Sequence, residues 1–462
     1  MGLNGLFGIG TSALATFQRA LAVTGQNISN VNTPGYSRQQ AILTETDPQN
    51  GRPGQIGTGV QASEIRRTVD TFLERQLLTS HERQGQFQAS RGALQRVQPL
   101  FGDSNDQGLG AGLNEFFNAW QDVATNPADQ TARTVLLSKA TALANQFNQH
   151  ATDLAAQRQA LDGQIGQTIT DINELASRIA VLNKSISQAE FSGQQANDLR
   201  DQRGVLLNQL GELADVSTVD DGTGQLTVFV GRGQVLVEKD RTYELQGAAN
   251  ASNSGLLDVQ YDGGGGAATL NSVIASGRLK GLLDVRDHTL PSIQGSFDQL
   301  ASALVTQVNS VHQAGYGLDG STGQPFFAAA GTTAATIRVS LTDIQKIAAS
   351  STAAGVPGNN VNALAVGALQ TTGFASLGNA TFQEYYSAVA GEFGSTMQGA
   401  ERDVRAQEII QEQLEAHRAE ISGVSLDEEL VNLLKYQRSF QAASRLIVVA
   451  DEMFQTILTL KR

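Results

Sequence analysis

The chain has 462 residues, of which 40% are hydrophobic, 17% charged and 6% aromatic. That is enough to bury cores and divide into about three domains, which excludes disorder as the overall state. Forty-five acidic against 32 basic residues give a formal net charge of -13, a balance opposed to neutralising the phosphates of a nucleic acid or an anionic membrane. With no cysteine, disulfides, thiolate metal sites and cysteine nucleophiles are all excluded.

At the N-terminus Phe7, Leu14, Leu21 and Ile28 recur at seven-residue spacing, with Leu3 and Phe17 on the flanking seam, a helical stripe set among small and amide residues. The first positive side chain is Arg19 and no run approaches about 18 apolar residues, so neither a cleavable signal peptide nor a spanning helix is expected. Pro34-Gly35 ends this helix in a turn, preceded by Asn residues suited to capping. Residues 37–43 and 59–65 read as extended pieces around a Gly and Pro loop at 50–59, before a helix opening near 69–78. Helical spacing then dominates to about residue 213, carried by Leu113, Phe116, Phe117 and Trp120 and later by Ile165, Ile169, Ile172, Leu175, Ile179 and Leu182.

Between 216 and 261 the period changes to two, with Leu226, Val228, Val230, Val235 and Val237 alternating and Gly-rich turns at 220–224 and 231–233. The glycine tract 263–266 closes this module, and helical spacing returns over 282–311. Residues 315–358, rich in Gly, Ala and Thr, predict one strand at 337–341 and form a further β element or a surface loop. Helix resumes over 381–421. Finally Leu426, Leu433, Phe440, Ile447 and Phe454 repeat every seven residues, with Tyr436, Ala443, Ala450 and Ile457 on the alternate seam. Ser425 as N-cap, Asp427, Glu428 and Glu429 in the first turn, and Lys461 and Arg462 at the end complement the dipole of a helix about 55 Å long.

The expected fold is mainly α with an inserted β module: long terminal coiled-coil helices, a helical-bundle body and a small β-rich outer domain. The terminal unit takes 1–60 and 422–462, the body takes 61–215, 270–320 and 359–421, the β domain takes 216–269, and 321–358 stays open between loop and β element. Because both ends carry the same kind of seam, they are expected to pair with each other and then with copies of themselves, and to be mobile or sticky in the monomer and ordered only in an assembly.

No catalytic, cofactor-binding or metal-ligating residue is predicted. The five His residues are scattered singly, and the 54–59 glycine loop lacks the Lys a phosphate site requires. Turns at 220–224 and 319–323 lack the later Glu of a calcium loop. Glu428 and Glu429, adjacent on a helix, point about 100° apart and read as dipole partners rather than a working pair. Trp120 beside Phe116 and Phe117 reads as core.

The run Gly25-Gln26-Asn27-Ile28-Ser29-Asn30-Val31-Asn32-Thr33-Pro34-Gly35-Tyr36-Ser37 resembles the N-terminal signature of the bacterial flagellar axial (rod/hook) proteins, the family of rod, hook and hook-associated subunits. Its motif positions here are Asn27, Asn30, Asn32, Thr33, Pro34, Gly35 and Tyr36. The runs 423–430 and 435–443 resemble the matching C-terminal signature in the version carried by hook-associated subunits. Asp198-Leu199-Arg200-Asp201-Gln202-Arg203 with Leu206-Leu207, and Val308-Asn309-Ser310-Val311-His312 followed by Gly315, Gly320, Gly323, Phe326 and Phe327, are similar to the interior of such a subunit.

The resemblance implies a non-enzymatic structural component joining flagellar hook to filament, with the terminal helices forming an inner tube and the β module facing outward. Subunit packing would rest on Phe7, Leu14, Leu21, Ile28, Leu426, Leu433, Tyr436, Phe440, Ile447, Phe454 and Ile457, while Asn30, Thr33, Pro34, Gly35 and Tyr36 would set the exit from the tube helix. Implied partners are the hook protein, the next junction protein on the filament side, further copies in a helical array, and a dedicated export chaperone on the C-terminal helix, with no nucleic acid, membrane or cofactor. The implied location is the extracellular flagellum, reached by type III export without a cleaved signal. The alternatives are another axial subunit such as the hook protein, or an axial subunit with an enzymatic insertion.

Overall fold

A computed structural model of the chain describes residues 3–51, 54–102, 108–191, 193–264 and 266–460. Lys461 and Arg462, expected to complement the last helix, lie outside the described residues. Helix α1 (Leu3–Ser29) leads into the 30–36 turn and then into β1 (Gln39–Glu45), β2 (Gln49–Gly51), β3 (Gly54–Ile56) and β4 (Val60–Arg67). β1 pairs antiparallel with β4 from Gln39↔Arg67 to Glu45↔Val60, and β2 pairs with β3, so the expected Gly and Pro loop is the far end of a two-stranded ribbon. The Thr46 and Thr58 hydroxyls meet at 2.7 Å and Thr58 donates to the Asp47 carbonyl, polar ties that leave no hydrophobic alternation to read in the sequence. The ribbon's root lies on α1, where Ala41, Leu43 and Ile65 pack against Ala20 and Val23. Strand pairing thus runs as far as Arg67, at the end of β4.

The body is laid along one long helix. After α2 (Thr71–Val97), capped by the Asp70 carboxylate, come α3 (Leu109–Thr125), α4 (Gln130–Glu190) and α5 (Asn197–Leu213). At 61 residues α4 spans about 90 Å. Its first half packs against α3 and, later in the chain, α7 (Leu290–Gln313), and α8 (Val361–Ala368) and α9 (Phe382–Ser422) pack in turn on α3 and α7, with Phe116, Phe117, Trp120, Leu143, Phe147, Phe297 and Phe382 in one core. Thr381 and Glu384 close a reciprocal capping box at the start of α9. The chain ends in α10 (Leu426–Leu460).

The second half of α4 carries the β module. Strands β5 (Val216–Asp220), β6 (Leu226–Val230), β7 (Gln234–Glu238) and β8 (Arg241–Thr242) form one antiparallel sheet, and β9 (Leu245–Ala249), β10 (Leu257–Tyr261) and β11 (Ala268–Thr269) form another in the order β11-β10-β9. Leu226, Val228, Val230, Val237, Leu245 and Val259 are buried in one core with Ile165, Ile169, Ile172 and Ile179 of α4. Polar side chains of α4 set the register. Asp162 accepts the Leu257 N–H, Asn173 bonds both the N–H and the carbonyl of Leu245, and Asn183 does the same for Leu226. Helix α6 (Gly277–Asp284) and a π-helical turn at Val285–Thr289 return the chain to α7.

Among the described residues, 321–358 contains isolated bridges such as Phe327↔Val339 but no strand, which corrects the strand expected at 337–341. Its backbone is satisfied by helix side chains rather than by a ladder. Asn309 bonds both the N–H and the carbonyl of Phe327, and the buried Arg133 guanidinium donates to the Pro127, Ile344 and Ile347 carbonyls. Nor is the segment superficial, because Phe326, Phe327, Ile337 and Ile347 are fully buried. Trp120 is fully buried in this core, with its ring centroid 5.3 Å from that of Phe326.

The absence of a helix apolar enough to span a membrane also needs correction: Gly5–Ser29 of α1 meets that test of length and composition, with mean hydropathy 1.2. Its apolarity comes from Leu, Phe, Ile, Val and Ala interrupted by Gly, Ser and Thr rather than from an unbroken greasy run, and its buried face is spent on α10 and the ribbon.

His312 ties the 321–358 segment to α7: Nδ1 donates to the Gln324 carbonyl at 2.7 Å and Nε2 accepts the Ala348 N–H at 3.0 Å. Burial, reinforced by Arg133, holds this imidazole down at about 4. A folded-state value below the ordinary 6.5 means that stability is intact above about pH 6.5 and is lost as pH falls towards 4, by roughly 3 kcal/mol. Urea unfolding of wild type and His312→Gln at pH 7, 5.5 and 4 is expected to show the gap between them narrowing in acid, because the glutamine does not titrate.

Candidate assembly surface and the joint behind it

Helices α1 and α10 lie antiparallel, Gly10 opposite Ile447 and Asn27 opposite Glu429. From α10 the seven-residue pattern faces its partner: Ala443 and Ala450 are buried, and Leu433, Tyr436, Phe440 and Ile447 are half-buried. On α1, Gly10, which meets Ile447, lies on the same side of the helix as Phe17, Leu21 and Ile28, while another face meets the ribbon. Thr16, Ala20, Val23, Thr24 and Asn27 are buried, Thr16, Ala20 and Val23 of them against the ribbon, whereas Phe7, Leu14, Phe17, Leu21 and Ile28 are half-buried on the neighbouring side. A Cβ on Gly10 would sit 2.6 Å from Ile447 Cγ1, so the glycine lets α10 approach closely there.

The large residues of α10 are therefore only partly used within one chain. Leu426, Phe454 (43% exposed) and Ile457 (51%) face solvent, as do Leu430, Val431, Leu434, Val448, Val449 and Leu458. Every residue from 451 to 460 is exposed, so the α10 seam continues past the end of its contact with α1. Contiguous apolar surface of this kind marks an interaction face.

Behind the helix pair the 27–39 segment is held by a buried polar network. The Asn27 amide donates to the Gln39 carbonyl at 2.8 Å and to Glu429 Oε2 at 3.2 Å, while its oxygen accepts the Gln39 N–H and the Tyr36 hydroxyl. Tyr36 is driven to a high pKa by burial and by the nearby carboxylates of Asp198, Asp201 and Glu429, so it stays a donor. Thr33 donates to Asn30 Oδ1, and Asn30 in turn donates to the Gln26 carbonyl, which winds the turn. Gly35 has φ +79°, and a Cβ there would overlap Val205 of α5. Asn32, Thr33 and Pro34 are exposed, and the turn walls a groove of about 710 Å³ with Val181, Leu182 and Val205.

Past the turn, Ser37 donates through both N–H and hydroxyl to Asp201, which also takes Arg67 at 2.6 Å, and Gln26 and Gln39 both donate to Asp198. Arg38 carries the link to the other end of the chain. Its N–H donates to the Ser422 carbonyl, Nε to Glu429 at 2.8 Å and Nη1 to Glu428 at 2.6 Å. Glu428 and Glu429, although side by side on the helix, thus meet at one guanidinium, which corrects the reading of them as dipole partners alone. Arg38 lies between their two directions. Ser425 does stand ahead of the first turn, its carbonyl accepting the Glu429 N–H at 3.0 Å.

Sequence reasoning placed Asn27, Asn30, Thr33, Gly35 and Tyr36 here but missed Ser37, Arg38, Gln39, Arg67, Asp198, Asp201 and Glu429. Asp198 and Asp201, one turn apart near the start of a helix, were the available signal for a shared face. Among the described residues no cluster of His, Asp and Glu could hold a metal ion.

Removing Glu429 takes one acceptor from the buried Asn27 amide and the buried half of the Arg38 ion pair, so Glu429→Ala is expected to cost about 3 kcal/mol, whereas Glu428→Ala, mostly exposed, is expected to cost under about 1 kcal/mol. Limited proteolysis of the two variants checks this: α10 is cut ahead of the body only in Glu429→Ala.

The sequence profile of the flagellar hook-associated protein FlgK helical domain matches residues 94–327, that of the flagella basal body rod proteins matches 7–36, and that of the flagellar basal body rod FlgEFG C-terminal region matches 416–460. Flagellar hook-associated protein 1 of Bacillus subtilis is 28% identical, covering 96% of both chains. The protein of the same name from Salmonella typhimurium is 27% identical over 70% of this chain and 59% of its own length. The flagellar hook junction protein FlgK of Burkholderia pseudomallei shares the fold at TM-score 0.68 and 17% identity, covering 75% of this chain and all of that one. The rod signatures fall on the paired terminal helices and the helical-domain profile on the body, and the chain belongs to the flagellar hook-associated protein FlgK family, structural components of the bacterial flagellum that assemble with its other axial proteins.

Proposed function

We propose that this chain joins the flagellar hook to the filament as a non-enzymatic adaptor, assembling into a helical array through its terminal helices. The observation that carries this reading is the α10 seam, whose large apolar residues continue beyond α1 and face solvent in a single chain. In the array Phe7, Leu14, Leu21 and Ile28 of α1 and Leu426, Leu433, Tyr436, Phe440, Ile447, Phe454 and Ile457 of α10 pack between subunits, the half-buried ones completing a contact that the helix pair begins. The 27–39 network sets the angle at which the chain leaves the tube, and the β module along α4 faces outward. The neighbours are the hook protein on one side and the next junction protein on the other. Transport out of the cell follows the flagellar type III route, with a dedicated chaperone covering the apolar face of α10 until assembly. The terminal unit, the body and the β module act as three nested parts.

Phe454 and Ile457 separate assembly from folding because both are exposed. A strain carrying Phe454→Asp and Ile457→Asp is expected to export a protein with wild-type melting behaviour and to lose filament attachment by electron microscopy. Normal filaments on the double variant would remove the seam from the subunit interface.

A further inference from the structure

The paired helices α1 and α10 have unlike ends. With Gly10 opposite Ile447 and Asn27 opposite Glu429, the antiparallel alignment brings Phe454 level with Leu3, and the rest of α10 runs beyond the described part of α1. On this overhang Phe454, Ile457 and Leu458 are exposed and, three and four residues apart, share one helix face. At the other end of the pair the chain turns through 30–36 against the body. There Thr33, Pro34 and Tyr36 form one wall of the 710 Å³ groove, and Val181 and Leu182 of α4 with Val205 of α5 form the rest. Pro34 and Val181 are exposed on it, so one end of the helix pair carries an apolar projection and the other an apolar recess. From Glu429 to Ile457 the helix rises about 42 Å, which keeps a chain's own overhang out of its own groove.

We propose that the overhanging end of α10 seats in this groove of a second copy, its apolar face against Pro34, Val181 and Val205, so that copies join head to tail along the helix pair. The proposal rests on the assembly reading above and names the surface that receives the end of the seam. A helix laying its i, i+3 and i+4 side chains into an apolar groove is a recurrent mode of recognition. The contact is heterologous, each copy giving its overhang and offering its groove, and its repetition builds an open array rather than a closed dimer. Two observations favour a second copy as the occupant. The groove is continuous with the assembly surface, because its 30–36 wall follows directly from α1. The charges also match. Asp198, exposed on the groove wall, takes hydrogen bonds from the neutral amides of Gln26 and Gln39, and Arg178 is exposed on α4. The apolar end of α10 is preceded by Asp451 and Glu452 and followed in the sequence by Lys461 and Arg462, which lie outside the described residues.

Because the chain has no cysteine, a disulfide between introduced thiols reports the contact directly. Val181 and Ile457 are both exposed, and a link between them within one chain is excluded by distance. Hook and filament preparations from cells carrying the full-length chain with Val181→Cys and Ile457→Cys together, mildly oxidised and immunoblotted, are expected to show a ladder of multimers. Either single variant is expected to show no band beyond a dimer. In parallel, Val181→Asp is expected to melt as wild type and to lose filament attachment. Attached filaments without the ladder, Val181→Asp filaments in wild-type number, or a Val181→Cys link to a different protein each overturn the seat in the groove while the adaptor reading stands. Failure of the adaptor reading shows differently, as wild-type chain missing from the preparations, and removes the groove contact with it.

Discussion

A single buried carboxylate, Glu429, holds the two ends of this chain in one place. It takes Asn27 from α1 and Arg38 from the segment after the turn, residues about 400 positions away in sequence. The α1–α10 contact needs such an anchor. Gly10 lets α10 approach closely at Ile447, and the half-buried side chains beside it do not fix where along each other the helices stop. The polar joint supplies the register, and the costs of an unpaired buried charge make it unforgiving. From it follow the direction in which α1 leaves its partner, the seat of the β ribbon on α1, and the bend between α9 and α10, where the Ser422 carbonyl takes the Arg38 N–H.

The division of labour between apolar area and polar register repeats in the body. Isoleucines on α4 bury the β module, and Asp162, Asn173 and Asn183 on the same helix decide which backbone groups of β10, β9 and β6 lie opposite them. Asn309, His312 and Arg133 do the same for the 321–358 segment, which has no ladder of its own. In each place a helix side chain takes the bond that a neighbouring strand would otherwise supply, which lets irregular backbone lie on a helical core.

Legibility in the sequence tracked side-chain size and regularity. The α10 pattern was readable because Leu, Phe, Ile and Tyr recur every seven residues and also face the partner helix. On α1 the large residues of the pattern stay half-buried, while the fully buried face that seats the ribbon is made mostly of Thr, Ala and Asn, types that carry little hydrophobic signal. The β module announced itself by alternation in β6, and the ribbon's far end did not, since its pairing rests on hydroxyls and backbone. The motif residues were visible as a resemblance, yet nothing local linked Asn27 to Glu429 or Tyr36 to Asp198. Reading Glu428 and Glu429 by helix angle alone failed because an arginine from elsewhere can fill the space between two directions.

By itself the sequence determined what is local or periodic: helix content and ends, the insertion of a β module between helices, the turn at Pro34-Gly35, and an apolar seam that one chain does not use up. These follow from propensity, capping and spacing, which act over a few residues. Only the tertiary structure decided which face of α1 is buried, that Arg38 joins two carboxylates, that 321–358 is core rather than covering, and that Glu82 bonds both Val216 and Ser276. Each of these depends on groups brought together across tens to hundreds of residues, where close backbone approach and the satisfaction of buried charge, rather than hydrophobic pattern, select the arrangement.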